Sequence, residues 1–113
     1  MKKTVIVDHD ANELQLFKRN LQSDTVLFSD YDGFTDFMAT NSNDISTVIF
    51  DSDTDLPYTS IMVQFIKSLF PAINIIEYTS NRPKCIPLVD MFITKPFDGY
   101  DLQKMRSLIG ATT

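Results

Sequence analysis

Short apolar runs alternate along the chain with longer segments in which apolar residues recur every three or four positions. The runs have the length of strands and predict five of them; the first, residues 4–7, is entirely β-branched and predicts a buried strand. These runs are residues 4–7, 25–28, 47–50, 73–79 and 91–94. The segments that follow most of them have helical spacing. The predicted helices cover residues 11–22, 34–40, 58–69 and 99–109.

Local signals refine the ends and faces of these helices. Asp10 and Glu13 form a capping-box pattern, with Asp10 at the N-cap and Glu13 reaching back to it. Residues 30–33 have the composition of a turn. Apolar residues at helical spacing predict a buried face for the third helix. They are Ile61, Met62, Phe65, Ile66 and Leu69.

The alternation of strands and helices predicts one doubly wound α/β domain over residues 1–113. Strands that alternate with helices form a parallel sheet covered on both faces. Residues 80–89 interrupt this regularity because they contain Pro83 and Pro87, so we expect at most one or two helical turns there. In a doubly wound sheet, ligands bind beyond the carboxyl ends of the strands, where the strand order reverses.

Polar residues follow four of the five predicted strands at this edge of the sheet. In chain order they are Asp8, His9, Asp10, Asp51, Asp53, Thr79, Ser80 and Lys95. Carboxylates side by side repel one another, so such a cluster requires a cation. Hard oxygen ligands favour Mg²⁺, and a neighbouring lysine can balance charge or bind a phosphoryl group.

Composition narrows the classes of partner. The chain has 113 residues and carries 15 acidic against 10 basic residues, a formal net charge of −5. An acidic domain is a poor candidate for binding nucleic acid directly or for binding anionic membranes. No apolar run approaches the length that spans a bilayer. Cys85 is the only cysteine, which excludes an internal disulfide and favours a reducing, cytoplasmic location.

Four short motifs resemble the receiver domain of two-component response regulators. The first strand, VIVD, ends at Asp8, and the third, VIFD, ends at Asp51. Thr79 lies where the family has a Thr or Ser, and residues 92–97, FITKPF, match the family's aromatic-x-T-K-P-F ending. The resemblance spans the whole chain. It implies the flavodoxin-like receiver fold with strand order 2-1-3-4-5, here with a shortened fourth helix.

The resemblance also implies a phosphorylation site. Asp51 would be the phosphoacceptor, a carboxylate nucleophile that forms an acyl phosphate. Asp8 and Asp51 would hold Mg²⁺ together with the backbone carbonyl of Asp53. The phosphoryl donor would be a sensor histidine kinase or a phosphotransfer protein, and the recipient of the signal a downstream protein or a second copy in a homodimer. Such a domain is not an enzyme beyond its own phosphorylation and dephosphorylation.

Further residues match the family's switch elements. Thr79 would bond a phosphoryl oxygen through its hydroxyl, and Phe92 matches the aromatic side chain whose rotamer follows activation. Lys95 would pair with the acceptor carboxylate or its phosphoryl group. The family keeps the Lys95–Pro96 bond cis, which proline permits.

His9 stands where the family has its second acidic residue, the direct metal ligand. Because imidazole is a poor ligand for Mg²⁺, Mn²⁺ is an alternative ion. Asp10 is an alternative ligand, although capping the first helix already accounts for it. His9 and the short segment at residues 80–89 also support a second hypothesis. In it the chain is a pseudo-receiver, a protein-interaction module that is not phosphorylated.

The loop after the third strand leaves two candidate acceptors. The family has a proline four residues after the acceptor, and Pro57 lies four residues after Asp53 but six after Asp51. If Asp53 were the acceptor, Asp51 and Ser52 would lie inside a buried strand, which is costly for a carboxylate. We therefore favour Asp51 and keep Asp53 as the alternative.

Overall fold

Five parallel strands form a single sheet in the computed structural model, which describes residues 2–21, 24–53, 56–80 and 88–111. The strands are β1 (Lys3–Val7), β2 (Thr25–Phe28), β3 (Ile45–Asp51), β4 (Asn74–Thr79) and β5 (Met91–Thr94). Their order in the sheet is β2-β1-β3-β4-β5, and every neighbouring pair is parallel. The five predicted strands and the order implied by the resemblance are confirmed.

Four α-helices lie within the described part of the chain. They are α1 (Ala11–Leu21), α2 (Tyr31–Asn41), α3 (Leu56–Leu69) and α4 (Gly99–Ala111). A 3-10 turn, Ser42–Asp44, joins α2 to β3. The predicted short fourth helix involves residues 81–87, which lie outside the described residues. Across the described ranges, no helix is both long enough and apolar enough to cross a membrane.

The helices cover both faces of the sheet because alternate strand residues point to opposite sides. In β1, Val5 and Val7 pack into a core with α2 and α3, whereas Ile6 packs into a second core with α1 and α4. Both cores consist mainly of fully buried aliphatic and aromatic side chains. This packing determines where the carboxyl ends of the strands lie.

The predicted turn at residues 30–33 is wrong, because α2 already begins at Tyr31. Asp30 is its N-cap, and the Asp30 side chain accepts a hydrogen bond of 2.9 Å from the backbone N–H of Gly33. An Asp at the N-cap satisfies a free N–H of the first turn, so residues typical of turns can start a helix.

Only half of the predicted capping box forms at α1. Asp10 Oδ1 accepts hydrogen bonds from the backbone N–H groups of Asn12 at 2.8 Å and Glu13 at 3.4 Å. The backbone N–H of Asp10, however, donates to Asp8 Oδ1 at 2.9 Å. Glu13 instead extends its carboxylate to Lys95, at 3.0 Å from Nζ. The ion pair with Lys95, which is distant in sequence, thus replaces the bond from Glu13 to the N-cap that the capping-box pattern predicts.

The predicted buried face of α3 is partly wrong. Met62 and Ile66 are buried as expected, but Ile61, Phe65 and Leu69 are 61%, 45% and 56% exposed. At about 100° per residue, the buried arc of the helix runs from Met62 through Ile66 to Val63, and the three exposed residues lie beyond its Met62 side. Val63 completes the buried face in their place.

This orientation of α3 predicts unequal costs for two matched substitutions. Ile66→Ala should lower the free energy of unfolding by about 2–4 kcal/mol, because it leaves a cavity in the core. Ile61→Ala makes the same chemical change on the exposed face and should alter stability by less than about 0.5 kcal/mol. Urea unfolding followed by circular dichroism measures both. Equal losses would contradict the observed rotation of the helix.

Candidate functional site

The carboxyl ends of the strands bring the candidate residues together at one edge of the sheet. Asp8 directly follows β1, Asp51 is the last residue of β3, and Thr79 is the last residue of β4. Lys95 follows β5, and its backbone N–H donates to the carbonyl of Thr79 at 2.8 Å. The Lys95 ammonium then reaches across the sheet to Asp51, at 3.0 Å from Oδ1. The predicted convergence of acids, hydroxyl and lysine is therefore observed.

Lys95 is the centre of the charge network. Its Nζ lies 3.0 Å from Asp51 Oδ1, 3.0 Å from Glu13 Oε2 and 3.1 Å from Asp53 Oδ2. It also lies 5.1 Å from the ring centre of Tyr78. Burial alone would lower the pKa of Lys95, but the bonds to Asp51, Glu13 and Asp53 outweigh it and raise that pKa above its ordinary value. The lysine therefore stays charged.

Glu13 is the site residue that sequence reasoning missed. It lies in the first turn of α1, close to the carboxyl end of β1, and its carboxylate faces both Lys95 and Asp8. Its position supplied a signal, since a first-turn residue of α1 can point towards the sheet edge. The capping-box pattern offered a simpler local explanation of the same residue.

Asp8 and Asp51 are buried side by side, with exposures of 2% and 4%. One oxygen of each is fixed by the backbone: Asp8 Oδ1 accepts from the N–H of Asp10, and Asp51 Oδ1 accepts from the N–H of Asp53, both at 2.9 Å. No hydrogen-bond donor in the described part of the chain reaches the other oxygens, Asp8 Oδ2 and Asp51 Oδ2. Buried acceptors without donors are costly, and a cation would satisfy them.

The carboxyl group of Asp8 is held partly in its protonated form. Burial, a hydrogen bond with Glu13 and the negative charge of Asp51 together raise the pKa of Asp8 to about 8, although the backbone bond from Asp10 acts in the opposite direction. Ionisation of Asp8 is therefore costly unless a cation offsets the neighbouring negative charge.

His9 lies over this pair of acids. Its Nδ1 is 3.4 Å from Asp51 Oδ2 and 3.8 Å from Asp8 Oδ1, while its side chain is 58% exposed. One donor atom from each of the three residues falls within 4.8 Å of the others, as in a group that can hold a metal ion. Two carboxylates and an imidazole suit a divalent ion.

The carboxylate of Asp53 accepts hydrogen bonds from side chains at the carboxyl end of β4, and it pairs with Lys95, which follows β5. Thr79 Oγ1 donates to Asp53 Oδ1 at 2.7 Å, and Ser80 Oγ donates to Oδ2 at 2.9 Å. Burial would raise the pKa of Asp53, but bonds from Thr79, Lys95 and Ser80 hold it well below its usual range. The resemblance implied that Asp53 supplies a backbone carbonyl to the metal or is the alternative phosphoacceptor; in the structure its charged side chain is anchored by these hydrogen bonds.

The remaining predicted residues lie around the site. Asp10 caps α1, as described above, and is not among the donors of the cluster with His9. Phe92 lies on β5 with 47% of its surface exposed. The Lys95–Pro96 peptide bond is cis, which confirms that expectation. Cys85 falls outside the described residues.

A cavity of about 330 Å³ opens beside the acids. Asp8, His9 and Asp51 line one side of it, and Asp30 and Asp32, at the start of α2, line the other. The opening gives a cation access to the buried carboxylates, and the additional acids attract it.

Several solved structures with the same fold are described as response regulators or receiver domains. A response regulator from Thermotoga maritima is 16% identical, with 97% of this chain and 98% of that chain aligned and a TM-score of 0.79. A CheY-like receiver domain protein from Methanospirillum hungatei is 18% identical over 99% and 96% of the two chains, with a TM-score of 0.79. An orphan response regulator of Helicobacter pylori is 10% identical over 96% of each chain, also at 0.79. No protein-family model and no curated protein matches the sequence.

Proposed function

On the basis of the receiver fold and the acidic site, we propose that this chain is a phosphoacceptor receiver domain. It accepts a phosphoryl group on Asp51 from a sensor histidine kinase or a phosphotransfer protein in the cytoplasm. The observation that carries the proposal is the different environment of the two Asp51 carboxylate oxygens. Lys95 binds one of its oxygens at 3.0 Å, and the other lacks a hydrogen-bond donor and lies beside Asp8.

The proposed reaction transfers the phosphoryl group from nitrogen to oxygen. The free carboxylate oxygen of Asp51 attacks the phosphorus of the donor's phosphohistidine, an O–P bond forms and the P–N bond breaks. The bonding electron pair returns to the donor's imidazole nitrogen, which takes up a proton. Lys95 neutralises charge on the acceptor. A divalent cation, Mg²⁺ or Mn²⁺, held by Asp8, Asp51 and the Asp53 carbonyl, would neutralise the phosphoryl oxygens.

The hydrogen bonds at the two candidate acceptors favour Asp51 over Asp53. Both oxygens of the Asp53 carboxylate accept hydrogen bonds, from Thr79 and from Ser80, and one also pairs with Lys95. A carboxylate so fully engaged is a weak nucleophile. Asp51 keeps one oxygen available, next to the acid that would share its cation.

Phosphorylation would act as a switch because the phosphoryl group competes with Asp53. A phosphoryl group on Asp51 needs the same partners, Thr79 and Lys95, that now bind Asp53. Their transfer from one anion to the other would alter the loops after β3 and β4 and the surface near Phe92. A downstream protein, or a second copy of the chain, would bind the altered surface.

The proposal predicts where phosphate is found. We expect incubation with acetyl phosphate and Mg²⁺ or Mn²⁺ to add one phosphoryl group to the wild-type protein and to the Asp53→Asn variant. The Asp53→Asn variant should also hold the group longer, since Thr79 and Lys95 are released to bind it. Asp51→Asn should gain none. Intact-protein mass spectrometry measures all three.

Other outcomes of this experiment would change the assignment. An adduct lost only in Asp53→Asn would identify Asp53 as the acceptor. No adduct with either ion would favour the alternative of a pseudo-receiver that binds partners without phosphorylation. One observation favours that alternative: Asp53 already supplies the anion that Thr79, Ser80 and Lys95 bind.

A further inference from the structure

The three donors at the acidic edge form a mixed site of two carboxylates and one imidazole. Two donors bound to one ion at about 2.0–2.2 Å lie about 3.0–3.6 Å apart. The distances from His9 Nδ1 to Asp51 Oδ2 and Asp8 Oδ1 are 3.4 Å and 3.8 Å, close to that separation. All three donor atoms lie within 4.8 Å of one another, so side-chain adjustments could bring them onto one ion.

Asp51 turns its donor-free oxygen, Oδ2, towards His9, whereas the Asp8 oxygen nearest His9 is Oδ1, which also accepts from the backbone N–H of Asp10. Each has one oxygen held by a backbone N–H, from Asp10 for Asp8 and from Asp53 for Asp51. Each has a second buried oxygen that no hydrogen-bond donor within the described ranges reaches. Hydrogen bonds from neighbouring groups to a ligating carboxylate fix its orientation and influence its affinity for a metal ion. The free oxygen of Asp51 is also the atom that faces the imidazole of His9.

The imidazole decides which ion fits. Mg²⁺ prefers oxygen ligands and binds imidazole poorly, whereas Zn²⁺, Co²⁺ and Ni²⁺ accept nitrogen and oxygen donors together. We propose that His9 is a metal ligand and that Asp8, His9 and Asp51 form a site selective for divalent transition ions over Mg²⁺. The exposed side of His9 and the adjoining cavity leave room for water or phosphoryl oxygens on the ion. This inference concerns the ion of the proposed function and holds whether or not Asp51 is phosphorylated.

A single histidine allows a direct test, because His9 is the only one in the chain. We would titrate the full chain with Zn²⁺ and observe the imidazole ¹⁵N signals by NMR, in a Cys85→Ser background that removes the one thiol. We expect Zn²⁺ to shift the Nδ1 signal strongly. If Zn²⁺ binds and the imidazole signals do not move, His9 is not a ligand and the proposal is wrong.

Selectivity is tested by calorimetric titration with Zn²⁺, Co²⁺ and Mg²⁺. His9→Ala should weaken binding of Zn²⁺ and Co²⁺ at least about tenfold and change Mg²⁺ binding little. His9→Asp should instead strengthen Mg²⁺ binding and reduce the ratio of Zn²⁺ to Mg²⁺ affinity. Circular dichroism of each variant checks the fold, which an exposed side chain should not disturb.

Transition ions bind most donor sets more tightly than Mg²⁺, so the preference of the wild-type protein alone proves nothing. The deciding quantity is the change in affinity ratio between wild type and His9→Ala. An unchanged ratio would overturn the proposal and leave His9 as a counter-ion of Asp51. Neither titration uses a phosphoryl donor, so failure here and failure of phosphorylation are separate results.

Discussion

Lys95→Met should destabilise the protein more than any other single surface-accessible substitution at the site. It removes the one ammonium that pairs with Asp51, Glu13 and Asp53, and it leaves these three carboxylates facing one another. Breaking a buried ion pair by removing one partner costs about 3–5 kcal/mol. Glu13 and Asp53 are partly exposed, so we expect about 3 kcal/mol and a fall in Tm of roughly 10–20 °C.

Two comparisons isolate the cause of this loss. Lys67→Met removes a lysine that pairs with one carboxylate, Asp90, at 2.6 Å near the surface, and should cost no more than about 1 kcal/mol. Adding Glu13→Gln to Lys95→Met should recover part of the lost stability, because one of the repelling charges is removed. Thermal melts measure each variant. A Lys95→Met protein that melts within about 2 °C of the wild type would show that the network does not hold the site together.

Asp8 should make the metal-free protein less stable as pH rises. Its pKa is about 8 in the folded protein, against about 3.9 for an unfolded Asp. Between these two pH values the folded state holds a proton that the unfolded state has released. The contribution of Asp8 to the free energy of unfolding is therefore greatest below about pH 4 and is lost as pH rises through 8. One proton changes the free energy of unfolding by up to about 1.4 kcal/mol per pH unit.

Substitution of Asp8 tests this directly. With a chelator present, we expect Asp8→Asn to flatten the decline in Tm between pH 5 and 8.5 and to exceed the wild type in stability at pH 8. Asp24→Asn removes the same charge from an exposed ion pair with Lys3 and should leave the decline unchanged. Both are repeated in a His9→Ala background, which removes the imidazole that lies beside these acids. Parallel curves for Asp8→Asn and the wild type would contradict the assignment.

A divalent ion should reverse the effect in the wild type. An ion that binds the folded state stabilises it in proportion to its occupancy, and it binds the ionised carboxylate. Added cation should therefore raise Tm most at pH 8 and have no such effect on Asp8→Asn.

Local sequence patterns predicted the secondary structure well where packing and pattern agree. The short apolar runs became the five strands, because each has the length of a strand and is shorter than most helices. Patterns failed where two local explanations competed. Residues 30–33 were compatible with both a turn and a helix start, and the apolar residues of α3 were too many for one face.

The sequence by itself determined that Asp8, Asp51, Thr79 and Lys95 lie at one edge of a parallel sheet, because each follows a strand and parallel strands end on the same side. Only the tertiary structure decided what their side chains contact. The Asp53 carboxylate binds Thr79 and Ser80, and Glu13 binds Lys95, across 26, 27 and 82 positions of sequence. Such contacts depend on how strands and helices are packed together, and a local sequence pattern carries no information about residues so far apart in the chain.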